Sequence, residues 1–124
     1  MYEEGRRDAT GEAFAIVEGE SGFLGLALAP RIDRNGRTVE LGYVVAPAAR
    51  GPRRATRALA LLTKWAVEHV GAERCELLIS VENGASKRVA ERCGYVREGV
   101  LRSLHVKQDL REDTEIWSRL PSEA

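Results

Sequence analysis

The chain is expected to adopt an α+β fold: a mixed twisted sheet built around a central βαβ unit, with two main helices. Three observations lead there. β-forming apolar runs at residues 12–18, 23–29 and 38–46 precede any helical pattern. Apolar residues then step by four, three, four and four through Ala55, Leu59, Leu62, Ala66 and Val70, the period of one helical face. Directly behind that helix, residues 75–81 return to a short apolar run, so the chain must cross over the sheet to add another strand.

The first two runs are separated by a short Gly-containing stretch and predict a hairpin. Residues 30–37 combine Pro, Asp, Asn-Gly and Arg and are expected to form a polar loop before the third strand. Ala58, Leu61 and Trp65 widen the apolar stripe of the long helix, which should lie flat on the sheet, and Gly71 supplies its left-handed stop. The strand at 75–81 should run parallel to the third through a right-handed crossover. A second helix is expected over about 84–93, with Val89, Ala90 and Cys93 inward and Gly94 as its stop. Strands at 95–101 and 115–120, joined by a charged connection through Lys107, Gln108 and Asp109, complete the set.

At 124 residues the sequence suits one domain able to bury a core without metal or disulfide staples. The formal net charge is zero with 31% charged residues, so nothing global argues for nucleic acid or an anionic membrane as a partner. No window approaches the roughly 20 apolar residues of a membrane span, and the first residues lack an apolar signal segment, so a cytoplasmic protein is expected. Cys75 and Cys93 form no CxxC pair or Cys/His cluster and read as buried free thiols, with no metal site expected. His69 and His105 have no ligand-spaced neighbours and read as structural or surface residues.

One segment carries chemistry. Glu40 to Arg57 reads as a strand, a tight loop and a helix start, with arginines at 50, 53, 54 and 57. Free amides and the positive dipole end at a helix N-terminus make an anion site, which would suit a pyrophosphate; solvation of a helix start explains the same arginines.

The strand ELGYVVAP, the loop ARGPRRATRAL, the stretch VENGASKRVAERCGY and the ending REGVLR through IWSRLPSE fall in order along nearly the whole chain. Together they resemble the GNAT superfamily of N-acetyltransferases, in particular its ribosomal-protein N-terminal acetyltransferase-like branch. The resemblance implies a GNAT-like fold and an acetyl transfer from acetyl-CoA to a primary amine, without a covalent enzyme intermediate. It implies that the loop amides around Arg50, Gly51, Arg53, Arg54, Ala55 and Thr56 hold the coenzyme pyrophosphate. Arg50 and Ala55 match the family pattern, whereas Arg53 stands where Gly is usual and Pro52 has no N–H to give.

The resemblance further implies that the third strand splays from its parallel neighbour, that the backbone of Val44 and Val45 pairs with the pantetheine arm, and that the Val45 amide faces the developing oxyanion. Asn83 is then a coenzyme contact and Ser86 the donor to the departing thiolate; helix capping explains Asn83 equally well. Glu40 is the leading candidate for general base, with a solvated strand-end glutamate as the plain alternative, and Asp113 and Glu115 are outside candidates.

Members of the family usually begin with a strand and two helices, so this sequence is expected to be N-terminally abbreviated. Its first strand should then be a sheet edge, covered by a second copy in a homodimer or by residues 1–12. A non-catalytic module that binds a partner or coenzyme A is the other reading, motivated by Pro52 and Arg53.

Overall fold

A computed structural model describes residues 12–18, 22–45 and 52–123, with side chains over residues 28–42 and 53–122. Six strands form one mixed sheet in the order β1-β2-β3-β4-β6-β5. They are β1 (Glu12–Glu18), β2 (Gly22–Asp33), β3 (Thr38–Val45), β4 (Arg74–Ser80), β5 (Val96–Lys107) and β6 (Leu110–Arg119). Helices α1 (Pro52–Trp65) and α2 (Gly84–Arg92) follow β3 and β4.

The expected βαβ unit is present: β3 and β4 pair in parallel, from Thr38 beside Arg74 to Leu41 beside Leu77. Every other neighbouring pair is antiparallel. β4 alternates between half-buried and buried residues, with Cys75, Leu77 and Ile79 buried. Those three meet Leu59, Leu62 and Ala66 of the long helical segment and Val89 and Ala90 of α2 in the main core. Both helices thus cover one face of the sheet, as their apolar stripes require.

Three boundaries differ from the sequence reading. β2 does not stop before Pro30 but runs to Asp33, because one extra residue between Leu28 and Arg31 forms a bulge that absorbs the proline. The polar turn shrinks to Arg34–Arg37, closed by the Gly36 N–H donating to Asp33 Oδ1 at 2.9 Å. β5 and β6 extend to a two-residue turn at Gln108 and Asp109, whose φ values of 53° and 65° give the left-handed pair a tight hairpin prefers. Nearly all of β5 is exposed, so alternation could not reveal its length.

α1 begins at Pro52, a residue suited to the first helical position because its missing N–H would have no intrahelical partner. Its last turn widens into a π-turn over Ala66–Val70, and Gly71 ends it at φ 80° as expected. Leu61 departs from the expected stripe and is 58% exposed, whereas Leu59 is fully buried. Tyr95 ties the base of β5 to α1 through a 2.6 Å hydroxyl hydrogen bond with Thr63. Cys75 and Cys93 are buried free thiols, and burial pushes the Cys75 thiol up to about 11.

Candidate active site

The parallel register of β3 with β4 ends at Leu41 and Leu77. Beyond it β3 keeps pairing only with β2, from Gly42 opposite Leu28 to Val45 opposite Gly25. β4 keeps pairing only with β6, from Leu78 opposite Ile116 to Ser80 opposite Thr114. The two strands therefore part at mid-sheet, and one side of residues 42–45 faces away from any strand among the described residues. Backbone groups at such a split need partners, and an extended ligand rich in amides can supply them. The bulge in β2 lies opposite the point of divergence and bends the sheet there.

The polypeptide leaves β3 beside this split and enters α1 a few residues later. Arg53, Arg54 and Arg57 are exposed on the opening turns of α1, and Ala55 packs against the core. Arg53 and Arg57, one turn apart, line with Thr56, Ala60 and Arg92 a depression of about 450 Å³. The Thr56 hydroxyl is buried without a hydrogen-bond partner, while its carbonyl accepts from Cys93 Sγ at 3.3 Å. A positive helix end, three guanidinium groups and an unsatisfied hydroxyl suit a phosphorylated ligand. Arg92 was not among the sequence candidates, because only the packing of α2 on α1 brings it here. Arg50 and Gly51 lie outside the described residues, as do the side chains of Val44 and Val45.

Asn83 is the N-cap of α2: its Oδ1 accepts the Ser86 N–H at 3.1 Å. Lys87, in the same turn, donates to the Val81 carbonyl at 2.8 Å and to Glu115 Oε2 at 3.3 Å. Glu115 also accepts from Trp117 Nε1 at 2.9 Å and faces Arg97 Nε at 3.4 Å. Burial raises this carboxyl, but the Trp117 and Lys87 hydrogen bonds and the two nearby cations outweigh it and hold the pKa below the ordinary value. Glu115 is therefore a fixed anion tying α2 to the sheet. Asp113 accepts the Ser103 N–H at 2.8 Å in the β5–β6 hairpin. Neither acid is brought beside Glu40.

Glu40 stands on β3 just before the split, on the sheet face opposite the helices. Its register partner is Glu76 on β4, and Arg31 Nε of β2 approaches Glu40 Oε1 at 3.7 Å. The Glu40 side chain is only 19% exposed. Burial pushes its pKa up; Arg31 opposes the rise, Glu76 adds to it, and His105 opposes it. Glu76 is meanwhile held by Arg74 Nε at 2.7 Å, and the rest of that guanidinium forms a bidentate pair with Glu98 at 2.9 and 3.0 Å. A half-buried carboxylate with a raised pKa and a loose ion pair to Arg31 is suited to accepting a proton. Glu76 and His105 were missed because only strand register brings them to this face.

The sequence profile of the acetyltransferase (GNAT) domain matches residues 2–96. Among solved structures, the spermidine N-acetyltransferase from Vibrio cholerae in complex with CoA and spermine has a TM-score of 0.86 at 21% identity, over 94% of this chain and 69% of that one. A chimera of the Vibrio cholerae enzyme with hSSAT gives 0.87 at 22% identity over 94% and 69%. A probable acetyltransferase gives 0.85 at 26% identity, over 94% of this chain and 64% of its own. No curated protein sequence matches the chain.

Proposed function

This chain belongs to the acetyltransferase (GNAT) domain family, and from that premise we propose a reaction in which Glu40 deprotonates a primary ammonium held at the β3–β4 split. The chain is an N-acetyltransferase domain with acetyl-CoA as its acetyl donor. The observation that carries the residue assignment is the juxtaposition of the split with a half-buried, raised-pKa Glu40 at its closed end.

Glu40 accepts one proton from the ammonium, and the free amine attacks the thioester carbonyl. The Val45 N–H stabilises the oxyanion, and the backbone of Val44 and Val45 lines up the pantetheine arm. As the tetrahedral adduct collapses, the C–S bond breaks. The thiolate takes a proton from Ser86, which is replenished by the second proton of the attacking nitrogen. Donor and acceptor leave as coenzyme A and an amide, with one net proton released to solvent.

Arg50, Gly51, Arg53, Arg54, Ala55 and Thr56 are our proposed coenzyme phosphate cradle, supported by the helix end, the depression and the orphaned Thr56 hydroxyl. Asn83 holds the start of α2 in place for Ser86, which is how we reconcile its cap geometry with a coenzyme-side role.

We further assign the chain to the ribosomal-protein N-terminal acetyltransferase-like branch, which makes a protein N-terminus the first acceptor to test and spermine the second. We place it in the cytoplasm, acting as a homodimer on small or peptide amines rather than on nucleic acid. Support for a dimer is the outermost position of β1 and β5 and the exposed apolar side chains of β5 and Leu110. A monomeric mass at micromolar concentration counts against the dimer alone.

The test of the reaction is release of free coenzyme A thiol from acetyl-CoA in the presence of an N-terminal peptide or spermine. Glu40→Gln is expected to lower the rate by about 10²–10⁴-fold with little change in the KM for acetyl-CoA. An unchanged rate removes Glu40 from the base role.

A further inference from the structure

The carboxylate assigned as base faces a cation of its own chain. Arg31 of β2 is the register partner of Glu40, and its Nε stands 3.7 Å from Glu40 Oε1. That separation is longer than a hydrogen bond and at the outer edge of an ion pair. The two ends of the contact differ in burial, with 73% of the Arg31 side chain exposed against 19% of Glu40. A guanidinium so exposed gains little from the contact and gives it up at little cost.

The bulge in β2 is what brings Arg31 there. From Leu28 to Arg31, β2 advances three residues while β3 moves two, from Gly42 to Glu40. Ala29 and Ile32 are both buried in the core, so the alternation of β2 is broken between them. Strict alternation from Ala29 would turn Arg31 onto the helix-covered face and Ile32 away from it. The extra residue exchanges them: Ile32 meets the core beside Val39, and Arg31 shares the open face with Glu40.

Gly42, two residues after Glu40, is next along that face toward the split. A side chain at Gly42 would begin in open space, with no atom of the described residues beyond its chain neighbours within 4 Å of its Cβ. Glu40 thus has a loosely held cation on its β2 side and room on its split side.

Resting on Glu40 as the base, we propose that Arg31 is a positioning residue that holds the acceptor's place: its guanidinium stands at the cation position of Glu40 between turnovers, and an incoming ammonium displaces it toward solvent. The acceptor class this selects is a cationic primary amine, whose charge replaces the one it displaces. No bond forms or breaks in the exchange. Once the ammonium has given its proton to Glu40 and the neutral amide has left, the returning guanidinium favours the ionised carboxyl and so the release of that proton to water.

The surrounding charges set the direction of the test. Burial is the largest influence on Glu40 and raises its pKa; Arg31 opposes the rise more than any other charge, Glu76 of β4 adds to it, and His105 of β5 opposes it least. Glu76 is itself held by Arg74 Nε at 2.7 Å. Without the Arg31 guanidinium, Glu40 therefore ionises at higher pH.

Arg31→Gln removes the charge from an exposed side chain and leaves the core untouched. In a carboxyl-carbon NMR titration of the full chain, the midpoint of Glu40 is expected to rise by roughly 0.2–0.7 pH in Arg31→Gln and to return toward wild type in Arg31→Lys. In the thiol-release assay, with the N-terminal peptide or spermine as acceptor, the acid limb of the kcat/KM profile should move to higher pH by the same amount. Above that limb the KM for the amine should fall at least about twofold, with the KM for acetyl-CoA unchanged. An unmoved Glu40 midpoint, or an amine KM that stays or rises above the limb, overturns the proposal. A wild-type rate in Glu40→Gln overturns the base assignment and this proposal with it. A rate lost in Glu40→Gln beside an unchanged amine KM in Arg31→Gln overturns the displacement alone.

Discussion

At the scale of single residues, Asn83 shows how one side chain can serve two readings. Its Oδ1 satisfies the Ser86 N–H, one of the orphan donors of the α2 N-terminus. Asn83→Ala is expected to cost about 1 kcal/mol in stability, measured by urea unfolding, with the slope of the transition unchanged. The same Asn-x-x-Ser spacing that suggested a coenzyme contact is thus explained locally by capping. Glu40 was legible because it leads the strand that runs into the loop, but its neighbours were not. Glu76 and His105 sit 36 and 65 positions further along, and nothing in their local sequence announces a shared face. Burial of Glu40 sets a second expectation. As a base it must be ionised, so activity should fall as pH drops through a folded-state pKa that lies above the ordinary 4.5 of a glutamate.

At the scale of elements, apolar periodicity decided what could be read. α1, β4 and α2 each bury one stripe against the sheet, so a period of 3.6 or 2 identified them within a few residues. β5 buries almost nothing, and its end at the Gln108–Asp109 turn lay six residues beyond the predicted one. Proline at position 30 argued for a loop, yet a bulge let β2 continue. The β4–β6–β5 side of the sheet is cross-linked by Arg74, Glu98 and Ser118, with the guanidinium gripping both Glu98 oxygens and the Ser118 hydroxyl donating to one of them. Those hydrogen bonds, led by Arg74, lower the Glu98 pKa from 4.5 to about 2. A depressed carboxylate pKa contributes stability that is fully present above 4.5 and fades as pH falls toward 2. Wild type and Glu98→Gln should therefore differ in thermal midpoint at neutral pH and converge in strong acid. A gap that stays constant with pH contradicts the pairing.

At the scale of the molecule, a single core holds α1 and α2 on one face of the sheet and leaves the polar face to Glu40, Glu76 and His105. Leu59 is at the centre of that core, fully buried among residues of both helices and the central strands. Leu59→Ala should cost about 2–5 kcal/mol, read from chemical unfolding. The sheet also fixes the site by what it fails to pair. Parallel contact between β3 and β4 lasts for four residue pairs, and the ligand path we propose runs from the ensuing split to the Arg53–Arg57–Arg92 depression on α1 and α2. That path was legible from sequence only through the family resemblance, since periodicity can place β3 and β4 but cannot show where they part. Whether Pro52 and Arg53 leave the phosphate cradle functional is a question of affinity. Calorimetric titration with acetyl-CoA, with desulfo-coenzyme A and ATP as controls, answers it. Micromolar binding that weakens in Arg53→Gly is the expected result, with the arginine acting as a phosphate ligand. Absence of binding up to millimolar acetyl-CoA, or binding that strengthens many-fold when Gly replaces Arg53, contradicts it.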